Sequence, residues 1–478
     1  MSAAQSSSSP PPNVLLIYTD QQRHDALGAA GNPDILTPNL DRLAGRGVRF
    51  ARNFVQNPVC MPSRISMLTG RYCSNLGISH MAVPVPSETD TLPVYLRRAG
   101  YTTAQIGKLH FLPHSNRDHR DPHPAYGFDH LEVSDEPGPY DDAYRAFIRR
   151  TMPDQLDAVS AHVFPPMAKA WREILLFDDG VKHPADWRPW TTTPFCGRDE
   201  ATHTAFVGQR TIDYLQQHAS AGRGSPPFFC IAGFYSPHSP LVAPQTYLDL
   251  YDPAAFTLPP LPPEVADEGA FTEANRRQAM HGYYAMVSEV DAWVGSILET
   301  LEEQQLADNT LVVFTSDHGE FLGEHLRWGK WHPAPDCVSR VPMLVSGPGI
   351  VPGVCEGITE SVDLVPTLLE RCGVPVPAVV DGQSWGNMLA GEAFAGKPAA
   401  LVEDHNRLPG WKSLRTATHR YILDAAGEEQ LFDLNAEFGE YRDVHADPAY
   451  AESLQAMRHQ LATRMLAVEK PLSRVWPY

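Results

Sequence analysis

Short apolar runs alternate along the chain with segments whose apolar residues recur at helical spacing. Val14 to Tyr18, Phe228 to Ala232 and Leu311 to Thr315 are such runs. Runs of this length between helical patterns are typical of buried parallel strands that have helices on both faces of the sheet. The pattern therefore predicts an α/β fold with a large, mostly parallel central sheet flanked by helices.

Further runs predict neighbouring strands and one long helix. Tyr101 to Ile106 follows a predicted helix that Gly100 closes, and it predicts a strand. Val341 to Val345 predicts another, whose second residue is a proline and therefore requires a sheet edge or a strand beginning. From Val287 to Leu301 apolar residues recur at helical spacing. A helix is therefore expected to lead into the strand Leu311 to Thr315.

Three regions depart from this alternation and divide the chain. Residues 1–12 are rich in Ser and Pro and predict a disordered tail. Residues 112–195 are dense in Pro, His, Asp and Trp, and we interpret them as an irregular insertion that shapes a pocket, or as an irregular surface excursion. Residues 376–478 are expected to form a small α+β domain with a short antiparallel sheet. Residues 13–375 would then form the main α/β domain.

The composition limits the classes of partner. The 478 residues include 38 Lys and Arg but 57 Asp and Glu, which gives a net charge of −19. This charge, without a basic cluster to offset it locally, argues against nucleic acid and acidic membrane surfaces as partners. No apolar run is long enough to span a bilayer. An anionic substrate would need a local concentration of cations.

Cysteine usage and the N-terminus indicate a compartment. The seven cysteines are an odd set whose spacing fits neither a zinc site nor a disulfide framework, so reduced thiols are expected. The N-terminal residues lack the basic start and the apolar segment of a signal peptide. Both observations predict a cytoplasmic protein.

Reactive side chains follow four of the predicted strands, close to the point where each strand ends. They are Asp20, Gln21, Lys108, His110, His238, Asp317 and His318. Because the carboxyl ends of parallel strands meet at one edge of a sheet, we expect these side chains to line one crevice. Taken singly, Asp317 could cap a helix, Lys108 could be a solvated loop charge and His238 a surface histidine. Their joint position favours a shared site.

Cys60 begins the segment Cys-Met-Pro-Ser-Arg. Because Pro62 suits the first turn of a helix, Cys60 is expected at a helix start, where backbone N–H groups and the helix dipole favour an anion. Taken alone, a buried cysteine before an ordinary helix is the simpler interpretation. The reactive residues elsewhere in the chain favour a cysteine with a chemical function.

Six segments, in this order and spacing, resemble the type I sulfatases of the alkaline phosphatase superfamily. They are Asn13 to Ile17 with Asp20-Gln21, Cys60 to Arg71, Gly107-Lys108-Leu109-His110, Ser236-Pro237-His238, Ser316-Asp317-His318-Gly319-Glu320, and Gly329-Lys330. The resemblance covers most of residues 13–375 and continues more weakly to Tyr441. It implies an arylsulfatase-like sulfuric ester hydrolase.

In that family the cysteine of the signature is oxidised to formylglycine, whose aldehyde hydrate supplies an oxygen nucleophile. The resemblance therefore implies a formylglycine-generating maturation enzyme as a partner. It also implies that Asp20, Asp317 and His318 bind one divalent metal together with an oxygen of the modified Cys60. Gln21 would complete the coordination or contact the substrate. Oxygen ligands favour calcium, and the imidazole of His318, where relatives use asparagine, makes manganese the alternative.

The resemblance also assigns roles to the remaining site residues. Arg64 would hold the hydrate through charge-assisted hydrogen bonds. Lys108 and Lys330 would neutralise sulfate oxygens. His238, with Lys330, would protonate the departing alkoxide, and His110 would deprotonate the second hydroxyl so that sulfate leaves. The expected reaction is hydrolysis of a small sulfate ester to an alcohol and inorganic sulfate.

Two other functions remain open. The first is a phosphonate monoester or phosphodiester hydrolase of the same superfamily, which Lys108 and His110 argue against because the resemblance implies neutral hydroxyl residues there in those enzymes. The second is a catalytically silent binder of sulfated ligands, which would require an unmodified Cys60. Aryl, choline-like and sugar sulfates are all compatible with the sequence, as is a homo-oligomer.

Overall fold

The computed structural model describes residues 10–114, 119, 121–161, 188–222, 224–265, 269–331, 334–406 and 408–469. In chain order its strands are β1 Asn13–Thr19, β2 Val48–Phe54, β3 Thr102–Gly107, β4 His130–Val133, β5 Thr192–Pro194, β6 Phe228–Gly233, β7 Leu241–Ala243, β8 Thr310–Ser316, β9 Arg340–Val341, β10 Met343–Ser346, β11 Gly353–Glu360, β12 Ala399–Asp404, β13 Trp411–Thr416, β14 His419–Asp424 and β15 Glu429–Asp433. Its α-helices are Pro38–Arg46, Cys60–Thr69, Cys73–Leu76, Leu92–Arg98, Ala143–Thr151, Leu156–Ser160, His203–Ser220, Gln245–Leu248, Glu273–Glu303, Asp336–Ser339, Leu364–Arg371, Gly386–Leu389 and Ala451–Val468.

Nine of these strands form the central sheet. Their order is β11-β2-β10-β8-β1-β6-β3-β4, and β9 pairs with β2. The four central strands β8, β1, β6 and β3 are neighbours and run parallel, whereas β10 is antiparallel to both β8 and β2. The prediction of a large, mostly parallel sheet flanked by helices is confirmed.

Successive residues of β1 face two different hydrophobic cores, one on each side of the sheet. Val14 and Leu16 belong to a core that includes the apolar face of the helix Leu364–Arg371. Leu15 and Ile17 belong to a second core, which includes the apolar residues of the helix Glu273–Glu303 from Val290 to Leu301. Because helices cover both faces, every residue of β1 is buried, which explains its uninterrupted apolar sequence.

The strand predicted over Val341 to Val345 is divided in the structure. Pro342 separates β9 from β10, because proline has no N–H group to donate to the neighbouring strand. The sequence predicted that the proline lies either at a sheet edge or at the beginning of a strand. Pro342 lies just before the beginning of β10, which is an inner strand of the sheet between β8 and β2. The expected long helix begins earlier than its apolar pattern indicated, at Glu273.

The C-terminal part of the chain contains a second sheet. Strands β12 to β15 form a four-stranded antiparallel sheet in chain order. The last helix, Ala451–Val468, packs on it through Leu454, Met457 and Leu461, in a core that also contains Tyr72. The expected short antiparallel sheet is confirmed, whereas the boundary near residue 375 stays a prediction.

The predicted insertion, residues 112–195, is only partly described. Its described residues include β4, which extends the parallel part of the central sheet beside β3, and β5, which pairs with β7 in a separate two-stranded sheet. Residues 162–187 lie outside the described residues, as do residues 1–9 of the predicted N-terminal tail. The described residues of this region therefore include regular strands, and its role in shaping a pocket stays a prediction.

Two further observations concern the cysteines and the helices. The seven cysteines are free, and all except Cys196 are buried. Among the described residues, the helices are too short or too polar to cross a membrane.

Candidate active site

The candidate residues meet at one edge of the central sheet. Asp20 and Gln21 follow β1, Asp317 and His318 follow β8, Lys108 and His110 follow β3, and His238 lies in the loop after β6. These four strands are parallel neighbours, so their carboxyl ends open into the same crevice. The structure thus brings together the side chains that the sequence placed at predicted strand ends.

Two left-handed backbone positions turn the chain at these ends. Gln21 has a φ of 67° and His110 a φ of 57°. Non-glycine residues take such angles only where their surroundings hold them there. The N–H of Gln21 donates to Asp317 Oδ1 at 3.0 Å, and those of Leu109 and His110 donate to Asp135 Oδ1 at 2.9 and 2.7 Å. Two buried carboxylates therefore fix the turns.

Two glycines allow β3 and β6 to end in close contact. A Cβ atom on Gly107 would lie 2.2 Å from the carbonyl oxygen of Gly233, and one on Gly233 would lie 2.3 Å from that of Lys108. The N–H of Lys108 donates to the Gly233 carbonyl at 2.7 Å. This close approach places Lys108 beside the loop that carries His238.

Cys60 is the first residue of the helix Cys60–Thr69, as its sequence predicted. Its Sγ atom lies 2.7 Å from Lys330 Nζ, 3.1 Å from His318 Nε2 and 3.7 Å from Asp20 Oδ1. Cys60 is fully buried. The helix start therefore carries its side chain into the crevice at the strand ends.

Four of these side chains form a group that could hold a metal ion. One ligand atom from each of Asp20, Cys60, Asp317 and His318 lies within 4.8 Å of the others, and all four residues are buried. Gln21 adds a further donor atom. Its Nε2 donates to Glu320 Oε2, and its Oε1 is buried with no hydrogen-bond partner among the described residues. An unsatisfied amide oxygen beside two carboxylates and an imidazole fits a divalent cation.

Arg64 lies on the same helix as Cys60 but contacts the carboxylates. Its Nε donates to Asp317 Oδ2 at 2.7 Å and its Nη2 to Asp20 Oδ2 at 3.4 Å. Its guanidinium group lies 4.4 Å from the ring centroid of Tyr18. In this structure Arg64 therefore orients the carboxylates, and its expected contact with a hydrate at residue 60 stays a prediction.

Two lysines add positive charge beside the group of candidate metal ligands. Lys108 Nζ lies 2.7 Å from Asp20 Oδ2 and 4.6 Å from the ring centroid of Tyr235. Lys330 Nζ lies 3.1 Å from His238 Nε2 and 3.2 Å from His318 Nε2. The local cations that an acidic protein needs for an anionic substrate are therefore present.

The charges of the site act on its acidic groups. Burial raises the pKa of Asp20, but Lys108 and the other nearby cations outweigh this effect and hold it well below its usual value. Burial raises the pKa of the Cys60 thiol to about 11, and Asp20 adds to this effect while Lys330 opposes it. Because only the thiolate is a strong nucleophile, the unmodified cysteine is unreactive at neutral pH.

The three histidines of the site are neutral near pH 7. Burial lowers the pKa of His318 to about 4, with a further contribution from Lys330. Burial, together with nearby positive charge, also holds the pKa values of His110 and His238 well below the usual value. The Nδ1 atom of His238 lies 2.6 Å from the carbonyl oxygen of Ser239. Nδ1 therefore carries the hydrogen, and Nε2 is left as an acceptor.

Sequence reasoning missed residues that shape the site. Asp135 follows β4 at the same edge as the other residues, but β4 is half-buried and has no apolar run to reveal it. Tyr235 lies against both Lys108 and His238. Glu320 ends one of the six segments that resemble the sulfatases, but the sequence assigned no role to it. It accepts hydrogen bonds from Gln21 and from the N–H of Gly329, and so connects the metal group to the loop of Lys330.

The sequence is similar to sulfatases over most of its length. The sulfatase family profile matches residues 12–374. The arylsulfatase of Clostridium perfringens (strain 13 / Type A) is 28% identical over 481 residues, which cover 93% of this chain and 92% of that enzyme. The choline-sulfatase of Rhizobium meliloti (strain 1021) is 28% identical, and the match covers 91% of this chain and 83% of that enzyme.

The structure is similar to a solved hydrolase structure. The phosphonate monoester hydrolase SpPMH from Silicibacter pomeroyi superposes with a TM-score of 0.77 at 26% sequence identity, over 96% of each chain. The fold and the site are those of an enzyme that acts on anionic esters. The chain belongs to the sulfatase family, a family of sulfuric ester hydrolases within the alkaline phosphatase superfamily.

Proposed function

We propose that the protein hydrolyses small sulfate esters to an alcohol and inorganic sulfate, using a formylglycine derived from Cys60. The observation that carries this proposal is the position of Cys60 Sγ, which lies 2.7 Å from Lys330 Nζ within the group formed with Asp20, Asp317 and His318. The sulfur atom stands in for a hydroxyl oxygen of the aldehyde hydrate. The raised pKa of the thiol supports conversion, because an un-ionised thiol would be a poor nucleophile there.

The proposal assigns the metal to Asp20, Gln21, Asp317, His318 and the modified Cys60. A divalent cation would lower the pKa of the hydrate hydroxyl and offset negative charge on the substrate. We propose calcium, with manganese as the alternative that the imidazole of His318 favours. The formylglycine hydrate would supply one hydroxyl to attack the ester sulfur and a second hydroxyl whose deprotonation releases sulfate.

The proton for the leaving alcohol would come from Lys330. Its Nζ lies 3.1 Å from His238 Nε2, which is an acceptor because Nδ1 is held by the Ser239 carbonyl. Lys330 can therefore donate one N–H to His238 Nε2, which holds the ammonium group in place, and give a second proton directly to the alkoxide oxygen as the S–O bond breaks. Lys108, 2.7 Å from Asp20, would face the non-bridging sulfate oxygens.

His110 would act as the base that releases sulfate. Both nitrogens of its ring are buried and have no hydrogen-bond partner among the described residues. Burial, Lys108 and His114 hold its pKa well below the usual value, so the ring is neutral and can accept a proton. A neutral imidazole without a hydrogen-bond partner among the described residues, at the same edge of the sheet, is suited to take the proton of the second hydroxyl.

A phosphonate or phosphate diester is the alternative substrate. The similarity to SpPMH supports this alternative, whereas Lys108 and His110 support a sulfate ester. Sulfate and phosphate esters present similar charged oxygens, so some activity toward both is expected. The ratio of kcat/KM for 4-nitrophenyl sulfate to kcat/KM for a phenyl phosphonate monoester distinguishes the two substrates. A ratio above one favours the sulfate ester, and a ratio below one favours the phosphonate ester.

The test of the proposal combines chemistry at residue 60 with activity. The full chain is produced with and without a formylglycine-generating enzyme, the partner that the proposal requires, and the tryptic peptide Asn53 to Arg64 is weighed. We expect an aldehyde at residue 60 and sulfate release in the first preparation, and neither in the second. An aldehyde without hydrolysis of any sulfate ester, or hydrolysis by an intact thiol, would contradict the proposal.

A further inference from the structure

Lys330 follows a closed loop that is formed by residues 321–329. The N–H of Phe321 donates to the carbonyl oxygen of Gly329 at 2.9 Å, and the N–H of Gly329 donates to Glu320 Oε1. The two ends of the loop therefore meet directly before Lys330. A displacement of this loop would move the ammonium group that the proposed function uses as the acid.

The loop has a backbone conformation that needs support. Leu322, His325 and Leu326 have φ angles of 50°, 52° and 50°, in the left-handed region that residues with a Cβ atom seldom adopt. Such positions are unfavourable and persist only where the surrounding structure holds them. The shape of the loop therefore depends on contacts with other parts of the chain.

Arg23, which lies just after β1, holds the first half of the loop. Its Nη1 donates to the carbonyl oxygens of Glu320 and Phe321 at 3.0 and 3.2 Å. Its guanidinium group also forms an ion pair with Glu324. These contacts restrain residues 320–324, and the turn that follows them is held from elsewhere.

Tyr441, in the C-terminal part of the chain, holds that turn. Its ring stacks on the ring of His325, with the centroids 4.1 Å apart and an angle of 5° between the planes. Its hydroxyl oxygen accepts the N–H of His325 at 3.2 Å. Burial lowers the pKa of His325 to about 3, so the stacked imidazole is neutral near pH 7. Tyr441 thus contacts both the side chain and the backbone of a left-handed residue.

Ion pairs fix Tyr441 in turn, through the residue before it. Glu440 accepts the N–H of Asp336 at 3.1 Å and pairs with Arg420. Arg415 donates to both carboxylate oxygens of Asp336, at 3.0 and 2.8 Å. Arg415 lies in β13, Arg420 in β14, and Asp336 begins the helix that follows the Lys330 loop. Tyr441 is therefore anchored to the second sheet and can act as a support for the loop.

We propose that Tyr441 is a positioning residue for Lys330, because it holds the turn of the loop at His325 and so keeps the ammonium group in reach of the leaving oxygen. The inference rests on the proposed sulfate ester hydrolysis. Lys330 Nζ already lies 2.7 Å from Cys60 Sγ and 3.1 Å from His238 Nε2. A misplacement of about 1 Å at such a group can cost about 10²-fold in rate, even when its cause is remote. Tyr441 acts on the reaction only through Lys330.

The test uses two aryl sulfates that differ in their need for an acid. 4-Nitrophenolate leaves readily without protonation, whereas phenolate is a poorer leaving group and depends more on a proton donor. In the matured enzyme, Tyr441→Ala should lower kcat/KM for phenyl sulfate by about tenfold more than for 4-nitrophenyl sulfate. Tyr441→Phe keeps the stacked ring, so its loss should be smaller. A lower amount of folded enzyme would reduce both values equally.

A double-mutant cycle tests whether the effect passes through Lys330. Lys330→Ala removes the acid, so the position of the loop no longer matters in that background. For phenyl sulfate, kcat/KM of Tyr441→Ala/Lys330→Ala should therefore equal that of Lys330→Ala within about twofold. Two independent losses would multiply instead.

Tyr450→Ala is the matched control. Tyr450 also lies in the C-terminal part of the chain, where its hydroxyl group donates to Asp433 Oδ2 at 3.0 Å. This variant should keep the wild-type ratio of the two kcat/KM values. His325→Asn removes the other ring of the stack, and asparagine tolerates a left-handed φ. It should reproduce the effect of Tyr441→Ala, including when that variant folds poorly.

Three results would each overturn the role of Tyr441. They are unchanged kinetics in both Tyr441→Ala and His325→Asn, equal losses on the two esters, and losses that multiply with that of Lys330→Ala. Any of these, in a protein whose wild type hydrolyses sulfate esters, leaves the proposed function standing. A wild type with an aldehyde at residue 60 that hydrolyses no sulfate ester would reject the proposed function, and the role of Tyr441 with it.

Discussion

The Nε atom of Arg64 lies 2.7 Å from Oδ2 of Asp317, and neither side chain has any exposed surface. Arg64 comes from the helix that begins at Cys60, and Asp317 follows β8. Asp317 Oδ1 also accepts the N–H of Gln21, after β1. This single ion pair therefore fixes the nucleophile helix against two strand ends, and its removal should affect both stability and the metal group.

Arg64→Ala should destabilise the protein by about 3–5 kcal/mol, because it leaves Asp317 as a buried charge without its partner. Urea unfolding of the wild type and the variant measures this loss. The control is Arg46→Ala, which removes an exposed pair with Glu302 at 2.7 Å and should cost less than about 1 kcal/mol. Equal losses in the two variants would show that the buried pair does not hold the site together.

Cys60→Ala should abolish turnover, by at least about 10³-fold in kcat, while leaving the fold intact. Cys60→Ser should fail as well, unless the host modifies serine. Sulfate release by each purified variant measures the effect, and circular dichroism checks folding. Cys196→Ala is the control, because Cys196 is the exposed cysteine and plays no part in the site. Full activity in either Cys60 variant would make the assigned nucleophile wrong.

Glu289→Gln should raise stability at alkaline pH. Burial raises the pKa of Glu289 from 4.5 to about 8, so the folded state keeps the proton over a range in which the unfolded chain has lost it. The wild type therefore loses stability as pH rises from about 4.5 to about 8, and the variant does not. We therefore expect the difference in the free energy of unfolding between Glu289→Gln and the wild type to increase by more than about 2 kcal/mol, in favour of the variant, between about pH 5 and about pH 8.5.

Urea unfolding at several pH values checks this prediction, with Glu299→Gln as the exposed control on the same helix. Curves for Glu289→Gln and the wild type that stay parallel over this range would contradict a raised pKa of Glu289.

The sequence located the site because most of its residues obey one geometric rule. Asp20, Lys108 and Asp317 follow apolar strands that are parallel neighbours, so proximity along a sheet edge could be inferred without coordinates. Asp135 obeys the same rule but escaped notice, since β4 is half-buried and lacks an apolar run. Glu289 could not have been found in this way. It lies in a helix of 31 residues, and only the packing of that helix distinguishes its buried side from the exposed side of Glu299.

Removal of divalent metal should lower the melting temperature of the matured protein. Asp20 and Asp317 are fully buried carboxylates, and the Oε1 of Gln21 has no partner among the described residues, so a bound cation would satisfy groups that the unfolded chain leaves in water. Ligand at about 100 times its Kd stabilises the folded state by about 2.7 kcal/mol. Thermal unfolding after chelation, and again after calcium or manganese is returned, measures the effect without any assay of activity.

The metal ion that restores the melting temperature at the lower concentration is the one that this site binds more tightly. Gln21→Ala should need more of either ion, because it removes one proposed donor, and Gln304→Ala serves as a control at a distant helix end. If chelation leaves the melting temperature unchanged, and neither ion shifts it afterwards, the group around Asp20 and Asp317 does not hold a metal. The buried carboxylates would then be balanced by the cationic side chains of the site, of which Arg64 contacts Asp317 and Lys108 contacts Asp20 at 2.7 Å each.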